Sequence, residues 1–214
     1  MFNKSFAAAV SEGKVMEMNV NHQDRVVQYV LHARFFYDQL LAKDWPVLQN
    51  TFKAMTPACR QAHQLLKNEI EKALSDKDAE EKLRVEYAHL FLLPEGVKMY
   101  ASVHQSNEPL LRQKAWQQVS KRYKTHGMKL EPNELHPEDH ASVELSFMAH
   151  LIEQGESCEA QLDFLQKHVL IWLPGALQKL CTHPKAEIYR LVAESTLHFL
   201  KEEEQLLMQL MNME

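Results

Sequence analysis

Four side chains in this sequence have the types and spacings that metal or acid–base chemistry uses. Glu86 and His89 lie three residues apart in "VEYAH". On a helix their carboxylate and imidazole share a face, the pairing that supplies ligands in di-iron helix bundles. Such a bundle needs a second pair on another helix, and the sequence has none. A surface or cap-side pair is the simpler expectation. His136 and His140 lie four apart in "HPEDH", a spacing that within one helix brings two nitrogens to one metal. Pro137 fits best in a first helical turn, which leaves His136 outside the helix and breaks that geometry. Together the four residues define one alternative, a helical metal-dependent oxidoreductase or hydrolase. No G-x-S-x-G, P-loop or G-x-G-x-x-G motif is present, so nothing adds a positive case for an enzyme.

The stretch "HPEDHASVELSFMAHL" (136–151) carries the most information. With Pro137 as the first helical residue, a projection at about 100° per residue separates its faces. Ala141, Leu145, Met148 and Ile152 form one apolar strip, and Val143, Phe147 and Leu151 a second. Ser142, Ser146, His150 and Glu153 take the wet side with Asp139. Glu138 and Asp139 read as first-turn acids on the helix dipole. His140 and Glu144 fall between the strips and point inward. A buried glutamate costs several kcal/mol unless it is paired. The projection therefore predicts a structural polar pair, with His140 the first partner of Glu144, and a carboxylate that its partner keeps charged at neutral pH.

The elements that position these residues read as helices throughout. Asn21–Lys43 has apolar residues Val26, Val30, Ala33 and Tyr37 at helical spacing. Thr56 and Pro57 mark a helix start, followed by an apolar face of Leu65, Leu66, Ile70 and Leu74. An acidic start near Asp76 leads into "VEYAHLFLL", ended by Pro94 and Gly96. A loop through residue 107 precedes a helix capped by Asn107, with Leu110, Leu111, Ala115, Trp116 and Val119 apolar and Gly127 at its stop. Gly155 ends the 137–154 helix. Later helices follow Ser157, Pro174 and Pro184. No strand-like alternation occurs, so the expected fold is all-α with about nine helices. Residues 1–20 form an N-terminal extension, 21–126 a larger half, 127–136 a hinge and 137–214 a smaller half of one domain.

The 214 residues are 45% apolar, contain only 5 glycines and carry a net charge of −5. That balance lacks the basic footprint of a nucleic-acid binder and favours basic partners. Cys59, Cys158 and Cys181 form no C-x-x-C or zinc spacing, as expected of reduced thiols in the cytoplasm. Ser11, Glu12 and Lys14 interrupt the apolar N-terminal stretch, so neither a signal peptide nor a membrane span is expected.

The stretches "EYAHLFLLP" (86–94), "YASVH" (100–104) and "HPEDHASVELSFMAHL" resemble the TorD/DmsD/NarJ family of redox-enzyme maturation chaperones. The similar family pattern is E-Y-x-x-L-F-x-G-P, an E-S-V segment, then E-P-x-D-H-x-x-x-E-L-x-F-M. "FLQKHVLIWLP" and "AEIYRLVA" extend the likeness, which runs from about residue 21 to residue 200. Leu93, Ala101, His136 and Ala176 depart from the pattern, standing where the family has Gly, Glu, Glu and an aromatic.

The resemblance implies a cytoplasmic, all-helical, non-catalytic chaperone. Such a protein binds the twin-arginine signal peptide and apo-subunit of a molybdoenzyme. It holds the client from export until the client's own molybdopterin guanine dinucleotide is inserted. The chaperone itself carries no cofactor, and no motif here speaks for or against the guanine-nucleotide binding proposed for some members. Family members occur as monomers and as homodimers that swap halves through the hinge. A receptor for two arginines and an apolar segment needs acids beside an apolar groove. With that implied role, Tyr87, Leu90, Phe91 and Pro94 are expected to form one peptide-binding wall, and Asp139 and His140 the other.

Overall fold

Ten of the thirteen residues of one helix, Ala141–Glu153, are buried. A helix that is apolar nearly all round belongs inside a fold rather than on its surface. The computed structural model describes residues 20–106, 108, 110–131 and 133–212. Residues 1–19 and Asn107 therefore lie outside the described residues. Eleven α-helices occur among them: α1 (Val20–Tyr37), α2 (Trp45–Ala54), α3 (Pro57–Ala62), α4 (Gln64–Leu74), α5 (Ala79–Tyr87), α6 (Ala101–Gln105), α7 (Lys114–Thr125), α8 (Ala141–Glu153), α9 (Cys158–Phe164), α10 (Leu173–Thr182) and α11 (Ile188–Met211). Single π-helical turns extend α5 through Leu92 and α9 through Val169. No strand appears among the described residues, only one antiparallel bridge between Tyr100 and His140.

The central pair is α1 against α8. Burial extends around α1 and takes in Arg25, Val26, Val27, Tyr29, Leu31, His32, Phe35 and Phe36, so α1 is an interior helix and not the amphipathic one the spacing predicts. The long α11 packs on α10, α9, α4 and α1. Buried side chains from both sides of the hinge form one apolar cluster. An ion pair crosses it: Arg25 donates through Nε and Nη2 to Glu203 at 2.8 and 2.6 Å, and through Nη2 to the Gln161 amide oxygen at 2.5 Å. This joins α1 to α11 and α9 inside the molecule. Among the described residues no helix is long and apolar enough to cross a membrane.

The extra helices arise where side chains take over backbone partners. Thr56 caps α3 as expected, accepting from Cys59 N–H. The helix then breaks at His63, whose ring Nδ1 donates to the Cys59 carbonyl at 3.0 Å, and the phase shift leaves Leu65 exposed. The stretch expected as loop holds α6. Leu110 and Leu111 precede α7 and are exposed, with Arg112 at φ 56° turning the chain between them and the helix. The last helix begins at Ile188, four residues after Pro184. Gly127 and Gly155 follow their helices at φ 73° and 69°, the left-handed conformation that ends a helix at low cost with glycine.

Candidate functional site: the hinge and the start of α8

The helix after the hinge starts at Ala141 and not at Pro137, because Glu138 and Asp139 are committed elsewhere and His140 caps it. Glu138 accepts the Trp116 indole N–H on its carboxylate at 2.5 Å and the Tyr123 hydroxyl on its carbonyl at 2.8 Å. Asp139 accepts Ser102 N–H on Oδ2 at 2.9 Å and Ala101 N–H on its carbonyl at 2.8 Å. Neither acid is a first-turn residue, and Asp139 is fully buried. His140 is the N-cap: its Nδ1 accepts from Ser142 N–H at 3.3 Å and lies 2.7 Å from the Ser142 hydroxyl. An accepting Nδ1 requires a neutral ring, and burial pushes the pKa well below the ordinary histidine range, with His136 adding to the shift.

Glu144 is fully buried, as the projection predicts, but its partner is not His140. The His140 ring is turned back onto the start of its own helix. One turn further on, Glu144 Oε2 accepts the indole N–H of Trp172, the residue before α10, at 2.9 Å, while Oε1 has no hydrogen-bond partner. One indole donor does not replace the lost water. Burial raises the Glu144 pKa well above the carboxylate range, Trp172 opposes this, and Asp139 adds to it. The expectation of a partner that keeps Glu144 charged is thus reversed.

His136 lies outside the helix, yet it meets His140 through space. Their rings stack with centroids 3.6 Å apart and planes within 7°. His136 Nε2 donates to the Tyr37 carbonyl at 2.6 Å, and the Tyr100 hydroxyl approaches Nδ1 at 3.5 Å. The far end of the hinge is tied to the C-terminus of α1 in this way. At its near end, His150 donates through Nε2 to the His126 carbonyl at 2.9 Å, and His126 pairs with Glu156 at 2.8 Å.

Between these ties the hinge roofs a groove of about 280 Å³. Val30 and Tyr37 come from α1, Met128, Leu130 and Glu134 from the hinge, and Val143, Ala149, His150 and Glu153 from α8. Its walls are mainly apolar, with carboxylates at Glu134 and Glu153 and one ammonium group at Lys129. Glu134 also hydrogen-bonds the Tyr37 hydroxyl, and burial followed by this contact raises the Tyr37 pKa. Sequence reasoning missed the groove. The signal was Met128 and Leu130, two apolar residues inside a segment taken only as a hinge.

The expected first wall is only partly a surface. Leu90 is a core residue at 0% exposure, held where the π-turn carries it inward. Val97 N–H donates to the Leu90 carbonyl at 2.7 Å, and a side chain on Gly96 would meet that oxygen at 2.5 Å, so the turn needs glycine there. Tyr87 and Phe91 are half-buried and join Tyr189 in an aromatic cluster with centroids 5.0 to 5.9 Å apart. Pro94 is exposed. Leu90, Asp139 and His140 therefore sit behind the surface that any peptide would touch.

Of the metal-enzyme alternative, His136 and His140 stack, but they form no metal-binding set with Glu86. Glu86 Oε1 accepts N–H from Glu187 and Tyr189, both at 2.8 Å, so its carboxylate caps α11. Burial raises its pKa, opposed by these backbone donors. Among the described residues no group of three or more His, Cys, Asp or Glu has a metal-binding arrangement.

Residues 53–178, more than half of the chain, match the family model described as nitrate reductase delta subunit. The chain belongs to this family, the TorD/DmsD/NarJ group. The match runs from α2 to α10 and contains the aromatic cluster residues Tyr87 and Phe91, the whole hinge, and α8. The chain is 31% identical over 139 residues to Chaperone protein TorD of Vibrio cholerae, covering 59% of this chain and 63% of that one. It is 31% identical over 137 residues to Chaperone protein TorD of a Psychrobacter strain, covering 58% and 62%. With Chaperone protein TorD of Shewanella oneidensis the identity is 31% over 153 residues, covering 67% and 70%. The chain thus spans less than two thirds of the length of the Vibrio cholerae and Psychrobacter relatives. These TorD-family relatives are named as chaperones and not as enzymes.

Proposed function

We propose that this chain is a cytoplasmic maturation chaperone for a molybdenum-dependent oxidoreductase. In this reading it binds the client's twin-arginine signal peptide and apo-subunit, and holds the client from export until its molybdopterin guanine dinucleotide is in place. It has no catalysis and no cofactor of its own. The observation that supports this reading is the hinge groove, where apolar walls and carboxylates occur together. A twin-arginine leader offers two guanidinium groups followed by an apolar segment. Met128, Leu130, Val143 and Ala149 suit the apolar part, and a methionine adapts its shape to different side chains. Glu134 and Glu153 suit the arginines, since guanidinium–carboxylate hydrogen bonds are charge-assisted and bidentate. The groove lies near the lower end of ligand-pocket sizes, about 300 Å³, so it takes a few side chains and the rest of the leader runs over the surface. Tyr87, Phe91 and Pro94 are the surface proposed to continue it. The Tyr87 hydroxyl feels the Asp38 carboxylate at the end of α1, next to the groove residue Tyr37. Asp139 and His140 act from behind by holding the start of α8.

Calorimetric titration with a twin-arginine leader peptide tests the proposal. Binding is expected, with at least about tenfold loss, roughly 1.4 kcal/mol, when both arginines are changed to glutamine. Equal affinity for the two peptides would remove the twin-arginine reading, and no binding of either would remove peptide recognition.

A further inference from the structure

The stacked rings of His136 and His140 close one end of the hinge at a place where the sequence carries two histidines. We infer that this stack is a proton-operated latch, closed over the groove when both rings are neutral and released when the pair takes up protons. His136 holds the hinge to α1 through the Tyr37 carbonyl, and its ring is covered by His140 on one face and approached by the Tyr37 and Tyr100 rings at 5.5 and 6.2 Å. A ring enclosed in this way gains a charge only by giving up hydration, and it recovers that hydration by leaving the stack. His140 resists a proton more firmly, because its Nδ1 is the acceptor that caps α8. Two imidazolium rings 3.6 Å apart would also repel.

The groups facing the pair set the balance. From α1, the Tyr37 carbonyl and Asp38 favour a charged His136, as does Glu134 from the hinge, but burial outweighs them and keeps its pKa below the ordinary value. Tyr100, packed against both rings, stays a neutral phenol, its pKa raised by burial and by Asp139. The sign follows by linkage: a base whose pKa is lower in the closed state than in water favours the open state as pH falls through its ordinary value of about 6.5. The latch thus regulates the hinge groove, and its effect on a leader peptide rests on the proposed function, whereas the opening of the hinge does not.

Hydrogen exchange on the full chain tests it, at about pH 7.5 and about pH 5.5, either side of the ordinary histidine value. Amides of residues 127–135 are expected to lose protection at the lower pH by about tenfold or more beyond the intrinsic change in exchange chemistry, while α8 interior amides keep theirs. The variant His136→Gln retains an N–H donor for the Tyr37 carbonyl and cannot titrate, so its hinge should respond at least several-fold less. Unchanged hinge protection in the native chain, or an equal response in H136Q, would overturn the latch. Leader affinity measured in parallel is expected to fall at the lower pH in the native chain and to hold in H136Q. A leader that binds at neither pH while the hinge still responds supports the latch and removes the proposed function.

Discussion

The Trp172 indole, just before α10, donates to Glu144 of α8 at 2.9 Å, and the other Glu144 oxygen has no partner. A buried carboxyl held by one neutral donor is more stable protonated than charged. The sign then differs from that of a salt-bridged acid. Its folded pKa is raised, so its contribution is full below the ordinary carboxylate value and declines as pH rises through the folded value. Glu144→Gln keeps an acceptor for Trp172 and removes the titration. It is expected to raise neutral-pH stability or leave it unchanged, and to flatten this part of the pH dependence. Glu144→Ala should cost about 1–3 kcal/mol by leaving the indole N–H buried and unpaired. Denaturant unfolding at two pH values checks both, and a Gln variant as unstable as the Ala variant would show that the charge itself is needed.

Buried histidines predict acid lability. His32, His63 and His140 are pushed below the ordinary histidine value chiefly by burial, and His168 to about 4. The unfolded chain takes protons first. Stability is therefore complete above about pH 6.5 and declines as pH falls towards about 4. Glu144 and Glu86 act in the opposite direction over this range, so the decline is partial. Urea midpoints between pH 7 and pH 5 measure it, and a flat profile would contradict these assignments.

The Arg25–Glu203 pair is expected to behave as a buried ion pair. Arg25→Ala should cost about 3–5 kcal/mol by leaving Glu203 charged and unpaired, and Arg25→Met with Glu203→Leu should recover most of that loss. A double variant no better than Arg25→Ala would place the importance of Arg25 in its shape and not its charge.

How much of this was legible follows from which residues carried a local signal. The apolar strips of α8, the cap at Thr56 and the stops at Gly127 and Gly155 depend on near neighbours, and all four were readable. The inward direction of Glu144 was also readable, from helical phase alone. Its partner was not, because Trp172 is 28 residues away and only the packing of the Leu165–Val169 π-turn on α8 brings it close. Glu86 shows the same limit: its spacing to His89 suggested a surface or cap-side pair, with metal chemistry as the alternative, but not the partner its carboxylate serves, the start of α11, 101 residues on. The start of α8 was misplaced because proline's preference for a first turn lost to the tertiary hydrogen bonds of Glu138 and Asp139.

The hinge segment is expected to permit exchange of halves between two copies. It joins parts that share one core, and short linkers of that kind allow swapping. In a dimer formed this way α8 of one protomer packs on α1 of its partner, and the Arg25–Glu203 pair forms between chains. A dimer whose α1 packs on its own α8 would exclude the swap.

The most direct test of the central claim is where a leader peptide lands. A twin-arginine leader with a photoreactive residue in its apolar segment, bound to the full chain and cross-linked, should attach at Met128–Leu130 and along the Val143–Glu153 face. The same peptide with both arginines changed to glutamine should cross-link weakly there. Cross-links that avoid both the hinge and α8, or that ignore the arginines, would contradict the account.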